Sequence, residues 1–292
     1  MSLSKCHEGK RSPRSSKDVV KDAVERIDDL YNRKENVTGV STGFRDLDIM
    51  TSGLHPGQLV VIATYPSMGK TALTTSLLRN ISIKNNIPSL FFTFGMKEFS
   101  LTTIMICAES KVNVHKLRTG FFREEEWPKI NEAAERIGNA PILIDETMNM
   151  SINEIRRRVK AAIKNSDIKI VFIDPLNLMR DMNMGDYTDA EEVALCLKEM
   201  AMEFNIPIVV TVDLKKREGV AIPEMCDIWK IGKIDGYVDI LTFLSRQEYF
   251  NPTEENSGKA ELIIVKNDAG PIGTLKLNFI AEHLTFEEEN VC

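Results

Sequence analysis

The stretch Val60-Val61-Ile62-Ala63-Thr64-Tyr65-Pro66-Ser67-Met68-Gly69-Lys70-Thr71 constrains the fold more than any other part of the chain. An apolar run of strand length enters a loop ending in Gly69-Lys70-Thr71. An amphipathic segment follows, with Leu73, Leu77, Leu78 and Ile81 on one side. Strand, loop and helix in that order form the layout of a phosphate-binding P-loop. Gly69 lets the backbone approach phosphate, Lys70 supplies the counter-charge, and the Thr71 hydroxyl suits Mg²⁺. The helix N-terminus presents unpaired N–H groups and the positive end of its dipole to the same anion. One departure is visible: the first glycine of the usual Gly-x4-Gly-Lys-Ser/Thr pattern is replaced by Thr64.

The same alternation continues downstream. Apolar runs at 59–63, 89–94, 142–144, 169–173, 208–212 and 240–244 predict strands, and the segments 71–84, 98–109, 124–137, 152–164 and 189–204 predict helices. Single strands separated by helices imply an α/β domain whose mainly parallel sheet is covered on both faces. At the C-terminal end the pattern changes. Ala260–Val265, a polar turn at Lys266–Gly270 and Thr274–Phe279 predict a β-hairpin. There is no internal repeat and no second block large enough for another core. Residues 37–292 are therefore expected to form one domain.

Ahead of that domain, residues 1–15 carry Lys5, Lys10, Arg11 and Arg14 among serines and are expected to be a disordered basic tail. Residues 16–36 predict a helix and its polar exit. Val20, Ala23, Val24, Ile27, Leu30 and Tyr31 fall on one face, and Ser15 with Asp18 offers an N-cap. This stripe must be buried on its own domain or on a neighbouring subunit.

Composition narrows the setting. With 37 basic and 43 acidic residues the net charge is −6, which argues against a generally basic nucleic-acid coat but leaves room for a local basic channel. The cysteines at 6, 107, 196, 226 and 292 include no Cys-x2-Cys pair, and reduced thiols without metal are expected. No apolar run approaches membrane-spanning length, and the polar, basic N-terminus has no signal-type apolar core. A cytoplasmic protein without membrane association is expected.

A second feature completes the P-loop. Ile170-Val171-Phe172-Ile173-Asp174 is an apolar strand ending in a carboxylate, the usual partner of Mg²⁺ in such sites. With these residues in view the chain resembles the C-terminal motor domain of DnaB-type replicative DNA helicases. The resemblance runs through Thr38-Gly39-Val40-Ser41-Thr42-Gly43-Phe44, Leu47-Asp48, Thr51-Ser52-Gly53-Leu54 and Pro66–Thr71. It continues through Lys116-Leu117-Arg118-Thr119-Gly120, Ile173-Asp174 and Gly270-Pro271-Ile272-Gly273-Thr274, all in order. It implies a RecA-like fold, a linker helix at 16–36 that docks on the next subunit, and a homo-oligomeric ring, expected to be a hexamer. ATP with Mg²⁺ at subunit interfaces and single-stranded DNA in the pore follow from the same likeness. Pro66, Ser67, Met68, Gly69, Lys70, Thr71 and Asp174 are then the nucleotide-binding residues, with Thr71 and Asp174 on the metal. The family's N-terminal helical domain, which communicates with primase, is expected to be lacking.

Departures from the family pattern bear on the chemistry. Where a glutamate should activate water, the chain reads Thr93-Phe94-Gly95-Met96, so the base position is Gly95. The polar glutamine ending a later strand corresponds to Asp213. The neighbour-reaching Lys-x-Arg is Lys266-Asn267-Asp268, which keeps a catalytic lysine in Lys266 and makes the arginine-finger position Asp268. In the DNA-contacting loop, Trp229 and Lys230 replace an arginine and a glutamate, and Trp229, Lys230 and Lys233 are the candidate DNA contacts. The parts that hold ATP are retained while those that split it are altered. Three readings stay open: an ATP-driven helicase, a pseudo-ATPase that regulates, loads or supports a catalytic helicase subunit, and a different RecA-like module. The in-order motifs disfavour the third.

Overall fold

The computed structural model describes residues 13–34, 36–179, 187–217 and 222–289. The expected basic tail therefore falls, up to residue 12, outside the described residues. Ahead of the sheet lies helix α1 (Ser16–Arg33). The Ser15 hydroxyl accepts the Asp18 N–H at its start, and Lys34 closes it in a left-handed conformation. Its apolar stripe finds no cover among the described residues: Val20, Val24, Ile27 and Tyr31 are all more than half exposed.

Helix α2 (Arg45–Thr51) follows the first quoted motif and shows what that motif does. The buried Asp48 carboxylate accepts hydrogen bonds from the Thr42 N–H, the Thr42 hydroxyl and the Ser41 hydroxyl. Val40 pairs with Leu54 in an isolated bridge that closes the loop. A buried carboxylate is tolerated here because its oxygens are satisfied by short local donors.

The core is one sheet with its helices. In chain order come β1 (Leu59–Thr64), α3 (Lys70–Leu78), β2 (Ser89–Thr93), α4 (Glu98–Ser110), α5 (Val114–Thr119), α6 (Trp127–Asn139), β3 (Ile142–Asp145), α7 (Ile152–Ser166) and β4 (Ile170–Asp174). Then follow α8 (Tyr187–Phe204), β5 (Ile208–Asp213), α9 (Met225–Trp229), β6 (Ile240–Ser245), β7 (Lys259–Asn267), β8 (Gly273–Ile280) and β9 (Thr285–Glu288). The strand order is β3-β2-β4-β5-β1-β6-β7-β8-β9, parallel from β3 to β6 and antiparallel from β6 to β9. Strands β1, β2, β4 and β6 are buried along their whole length. That explains their uninterrupted apolar runs, since a parallel sheet covered on both faces offers no polar side.

Two expectations need correction in detail. The helix expected over 71–84 is α-helical only to Leu78 and continues as a π-helical turn, Arg79–Lys84. There Arg79 and Asn80 are buried and donate to the carbonyls of Ala108 and Thr42, tying the helix to its neighbours. The C-terminal hairpin is extended by a third strand, β9, on the outer edge. At its turn, a Cβ on Gly270 would collide with the Met50 carbonyl oxygen, so the turn packs closely on the end of α2.

Chain direction sets the position of the site. From β1 the chain passes over β5 and β4 to reach β2, whereas β6 lies on the other side of β1. Such a reversal opens a crevice at the carboxyl ends of the strands, where ligands bind in open α/β sheets. Register brings the polar ends together there: Thr64 is opposite Asp213 and Leu244, and Thr93 is opposite Asp174.

Candidate nucleotide-binding site

The loop between β1 and α3 faces a cleft of about 660 Å³ lined by Pro66, Ser67, Gly69, Lys70, Thr71 and Asp213, among others. Thr64, at the family's first glycine position, has no accessible surface, and its hydroxyl donates to the Leu244 carbonyl at 2.8 Å. The side chain is thus turned into the sheet, which accounts for its tolerance at a glycine position. Gly69 adopts φ +94°, and a Cβ there would meet Phe286 at 3.0 Å, so strain and space both favour glycine.

Lys70 begins α3 and its ammonium is held between two carboxylates. Asp213 Oδ2 lies 2.6 Å from Nζ, and Asp174 Oδ1 lies 3.8 Å away. The Thr71 hydroxyl donates to Asp174 Oδ2 at 2.8 Å, and the Thr211 hydroxyl donates to Asp174 Oδ1 at 2.5 Å. A buried carboxylate beside a threonine hydroxyl is a hard-oxygen donor pair of the type Mg²⁺ accepts, directly or through water. Among the described residues no group of three or more His, Cys, Asp or Glu is clustered for a metal. An ion here would therefore complete its shell with phosphate and water oxygens, as Mg²⁺ usually does.

Asp213 is the main cleft residue that sequence reasoning did not assign to nucleotide binding. Its backbone is clamped by Asn177, whose Oδ1 accepts the Asp213 N–H at 2.7 Å and whose amide donates to the Asp213 carbonyl at 3.2 Å. Further cleft residues not anticipated are Arg118, Arg246 and Phe279. The Arg246 guanidinium lies 3.8 Å over the Phe279 ring and is paired with Glu248. A signal for Asp213 existed, since it ends an apolar strand as Asp174 does.

Of the positions expected to act in hydrolysis, Lys70 is in this cluster and Gly95 adjoins it, since the Phe94 N–H donates to the Asp174 carbonyl at 2.9 Å and Met96 lines the cleft. Gly95 follows β2 and is exposed; a Cβ there would make only ordinary contacts, with Leu178 at 3.5 Å and Pro175 at 3.7 Å. Lys266 is turned onto its own chain, donating to the carbonyls of Asp235 at 3.0 Å and Val238 at 2.5 Å. Asp268 lies 3.4 Å from Lys266 and is otherwise half exposed.

The candidate DNA residues cluster around α9. Trp229 is 52% exposed at its end, Lys230 reaches Asp227 at 3.3 Å, and the Lys233 N–H donates to Glu191. Asp227 is 1% exposed and accepts from the Tyr65 hydroxyl at 3.0 Å, which connects α9 with the residue preceding Pro66. Burial pushes the Asp227 carboxyl up, but the Glu224 N–H, the Tyr65 hydroxyl, Lys230 and Arg217 outweigh it and hold the group below the usual aspartate range. Burial and the neighbouring Asp227 charge raise the Tyr65 phenol, against the lowering effect of Arg217. Cys107 and Cys226 are free, and burial pushes the Cys107 thiol up to about 11. Cys196 is disulfide-bonded, so the expectation of reduced thiols does not hold there. Among the described residues, no helix is long and apolar enough to cross a membrane.

Comparison with known proteins identifies the family and agrees with the fold. Residues 39–288 match the family model described as DnaB-like helicase C terminal domain. The replicative DNA helicase DnaB of Geobacillus stearothermophilus is 33% identical over 276 residues, covering 92% of this chain and 61% of the relative. The replicative DNA helicase DnaC of Bacillus subtilis gives the same identity and coverage. The chain thus spans about three-fifths of the length of these relatives. Among solved structures, one described as an ATPase domain superposes with a TM-score of 0.87 at 28% identity, covering 96% of this chain and all of that one. A DnaB-like replicative helicase, whose structure was determined together with its interactions with primase, gives 0.83 at 28% identity, covering 94% of this chain and 67% of that one.

Proposed function

The chain belongs to the DnaB-like helicase C-terminal domain family, and from that membership we propose an ATP-binding motor domain acting on single-stranded DNA in DNA replication. Its fold is the RecA-like α/β fold of the family's ATPase domains. The single observation that carries the proposal is the convergence of Lys70, Thr71 and Asp174 on the cleft at the end of β1. Lys70 would neutralise the phosphates, the loop N–H groups would hold them, and Thr71 with Asp174 would hold Mg²⁺. When bound, that ion neutralises phosphate charge. We assign residues 16–36 to a linker helix whose exposed stripe is covered by a neighbouring protomer in a ring, with a hexamer as the expected form.

The proposal includes slow hydrolysis. Gly95 has no group with which to orient or deprotonate water. At the finger position Asp268 offers a carboxylate, and Lys266 is engaged with its own backbone. These placements favour a second reading, in which the chain holds ATP without turning it over and supports or regulates a catalytic helicase subunit. Calorimetry with Mg²⁺ and a non-hydrolysable ATP analogue tests the site: Lys70→Ala should weaken binding at least about tenfold. Unchanged affinity in a folded Lys70→Ala protein would mean that the nucleotide lies elsewhere. Phosphate release with and without single-stranded DNA separates the two readings, and mass measurement with and without the analogue reports the assembly.

A further inference from the structure

Lys70, at the centre of the phosphate loop, already has an anionic partner. Its Nζ is 2.6 Å from Asp213 Oδ2, closer than the 3.8 Å that separates it from Asp174 Oδ1. The two carboxylates differ in what else they do. Asp174 is buried and occupied by two threonine hydroxyls, whereas Asp213 is 38% exposed on its side chain and lines the cleft. It is the only acidic side chain among the described residues that line that cleft. Its position is not adjustable through the backbone, because Asn177 bonds both its N–H and its carbonyl. Register with Thr64 on β1 holds it beside the start of the loop as well.

We propose that Asp213 is a specificity-determining residue that penalises the terminal phosphate of a nucleoside triphosphate, so that the site holds a diphosphate at least as well as a triphosphate. This rests on the reading of the cleft as a nucleotide site. A P-loop lysine serves the β- and γ-phosphates, so the outermost phosphate must come to Lys70 where Asp213 now stands. Two consequences follow. Every phosphate ligand competes with Asp213 for the ammonium, and the ligand with the additional outer charge meets the carboxylate itself. At about 4 Å, one pair of like charges changes a binding constant by roughly sixfold in water-like surroundings and by about a thousandfold at an effective dielectric of 20. The half-open position of Asp213 sets an expectation of about tenfold or more. The same pair also makes the empty site less attractive to stray anions, since Lys70 is neutralised until a ligand displaces Asp213.

The test is calorimetric titration of the full chain, at saturating Mg²⁺, with ADP and with a non-hydrolysable ATP analogue. Asp213→Asn keeps the shape and the backbone clamp but removes the charge, and Asp213→Ser is the second variant if the first does not fold. The expected result for the natural protein is ADP affinity equal to or above that of the analogue. In the variants both ligands should bind more tightly, and the ratio should shift at least about tenfold towards the triphosphate analogue. A general structural role for Asp213 would weaken both ligands together and leave the ratio alone. If both ligands bind and the ratio is unchanged in the variants, the proposal is overturned while the nucleotide site stands. If the natural protein binds neither, the site reading fails and the proposal falls with it.

Discussion

Replacing Gly95 with glutamate and Asp268 with arginine should restore fast hydrolysis, and the structure allows the size of the effect to be bounded. A general base is worth roughly 10²–10⁴ in rate. An arginine finger is worth about 10³–10⁵, or 4–7 kcal/mol of barrier. Against these gains stand the costs of installing the groups. At Gly95 a Cβ meets nothing closer than 3.5 Å and the backbone φ needs no glycine, so the Glu side chain enters without displacing the core. At position 268 the present carboxylate sits 3.4 Å from Lys266, and an arginine would exchange attraction for repulsion. In surroundings as open as those of Asp268 that exchange costs about 1–2 kcal/mol, well below the catalytic gain. Lys266 would move off the carbonyls of Asp235 and Val238 in consequence. Both groups act on one transition state, so their effects need not add. Phosphate release under saturating ATP, Mg²⁺ and single-stranded DNA should rise by less than about tenfold for each single variant and by at least about a hundredfold for the pair. Brisk DNA-stimulated hydrolysis by the natural chain, lost in Lys70→Ala, would refute the reasoning. Loss of that same activity in Asp213→Asn would identify Asp213 as the group that had taken over the base role.

Removal of residues 1–34 should lower the oligomeric state in sedimentation velocity, because α1 exposes Val20, Val24, Ile27 and Tyr31 with no cover among the described residues; an unchanged oligomer would place the main interface elsewhere. Trp229→Ala should weaken single-strand binding in fluorescence anisotropy by about 1–3 kcal/mol if the indole stacks on a base, and the wild-type affinity should fall steeply with salt. No detectable binding at low salt would remove α9 from consideration. Asp227→Asn should flatten the acid limb of stability in urea titrations. The folded carboxyl of Asp227 is held below its unfolded value near 3.9. Its contribution is therefore full above about pH 4 and is lost as pH falls through the depressed folded value. Equal acid sensitivity in both proteins would contradict this.

Why some of this was legible in sequence, and some not, follows from the range of the interactions. The central strands could be read because burial on both faces leaves no polar residue to interrupt them, as in Ile170–Ile173. Strand β9 could not: its Thr-Phe-Glu-Glu run lies at an edge and keeps two acids half-buried, so it lacks that signature. Helix α2 has too few turns for its periodicity to register, and only the bonds of Asp48 to Thr42 and Ser41 explain why it forms where it does. The nucleotide cleft divides in the same way. Gly69, Lys70 and Thr71 are adjacent, so a local pattern reveals them. The pairing of Lys70 with Asp213 depends on the register of β5 against β1, with Asp213 brought opposite Thr64 by a parallel crossover. No local spacing encodes that register. The sequence places a carboxylate at the end of β5, yet only the register turns it towards the lysine rather than towards solvent. Lys266 illustrates the converse. Its position in the hairpin suggests a group extended towards a neighbour, but two carbonyls of the 235–238 segment lie within reach and take its ammonium first. A ring neighbour that recruited Lys266 would have to offer more than those two acceptors, and a phosphate with its full charge is the ligand able to do so. Lys266 and Lys70 thus share one condition: each ammonium is held by an acceptor of its own chain, so any phosphate that either is to serve would first have to displace that acceptor.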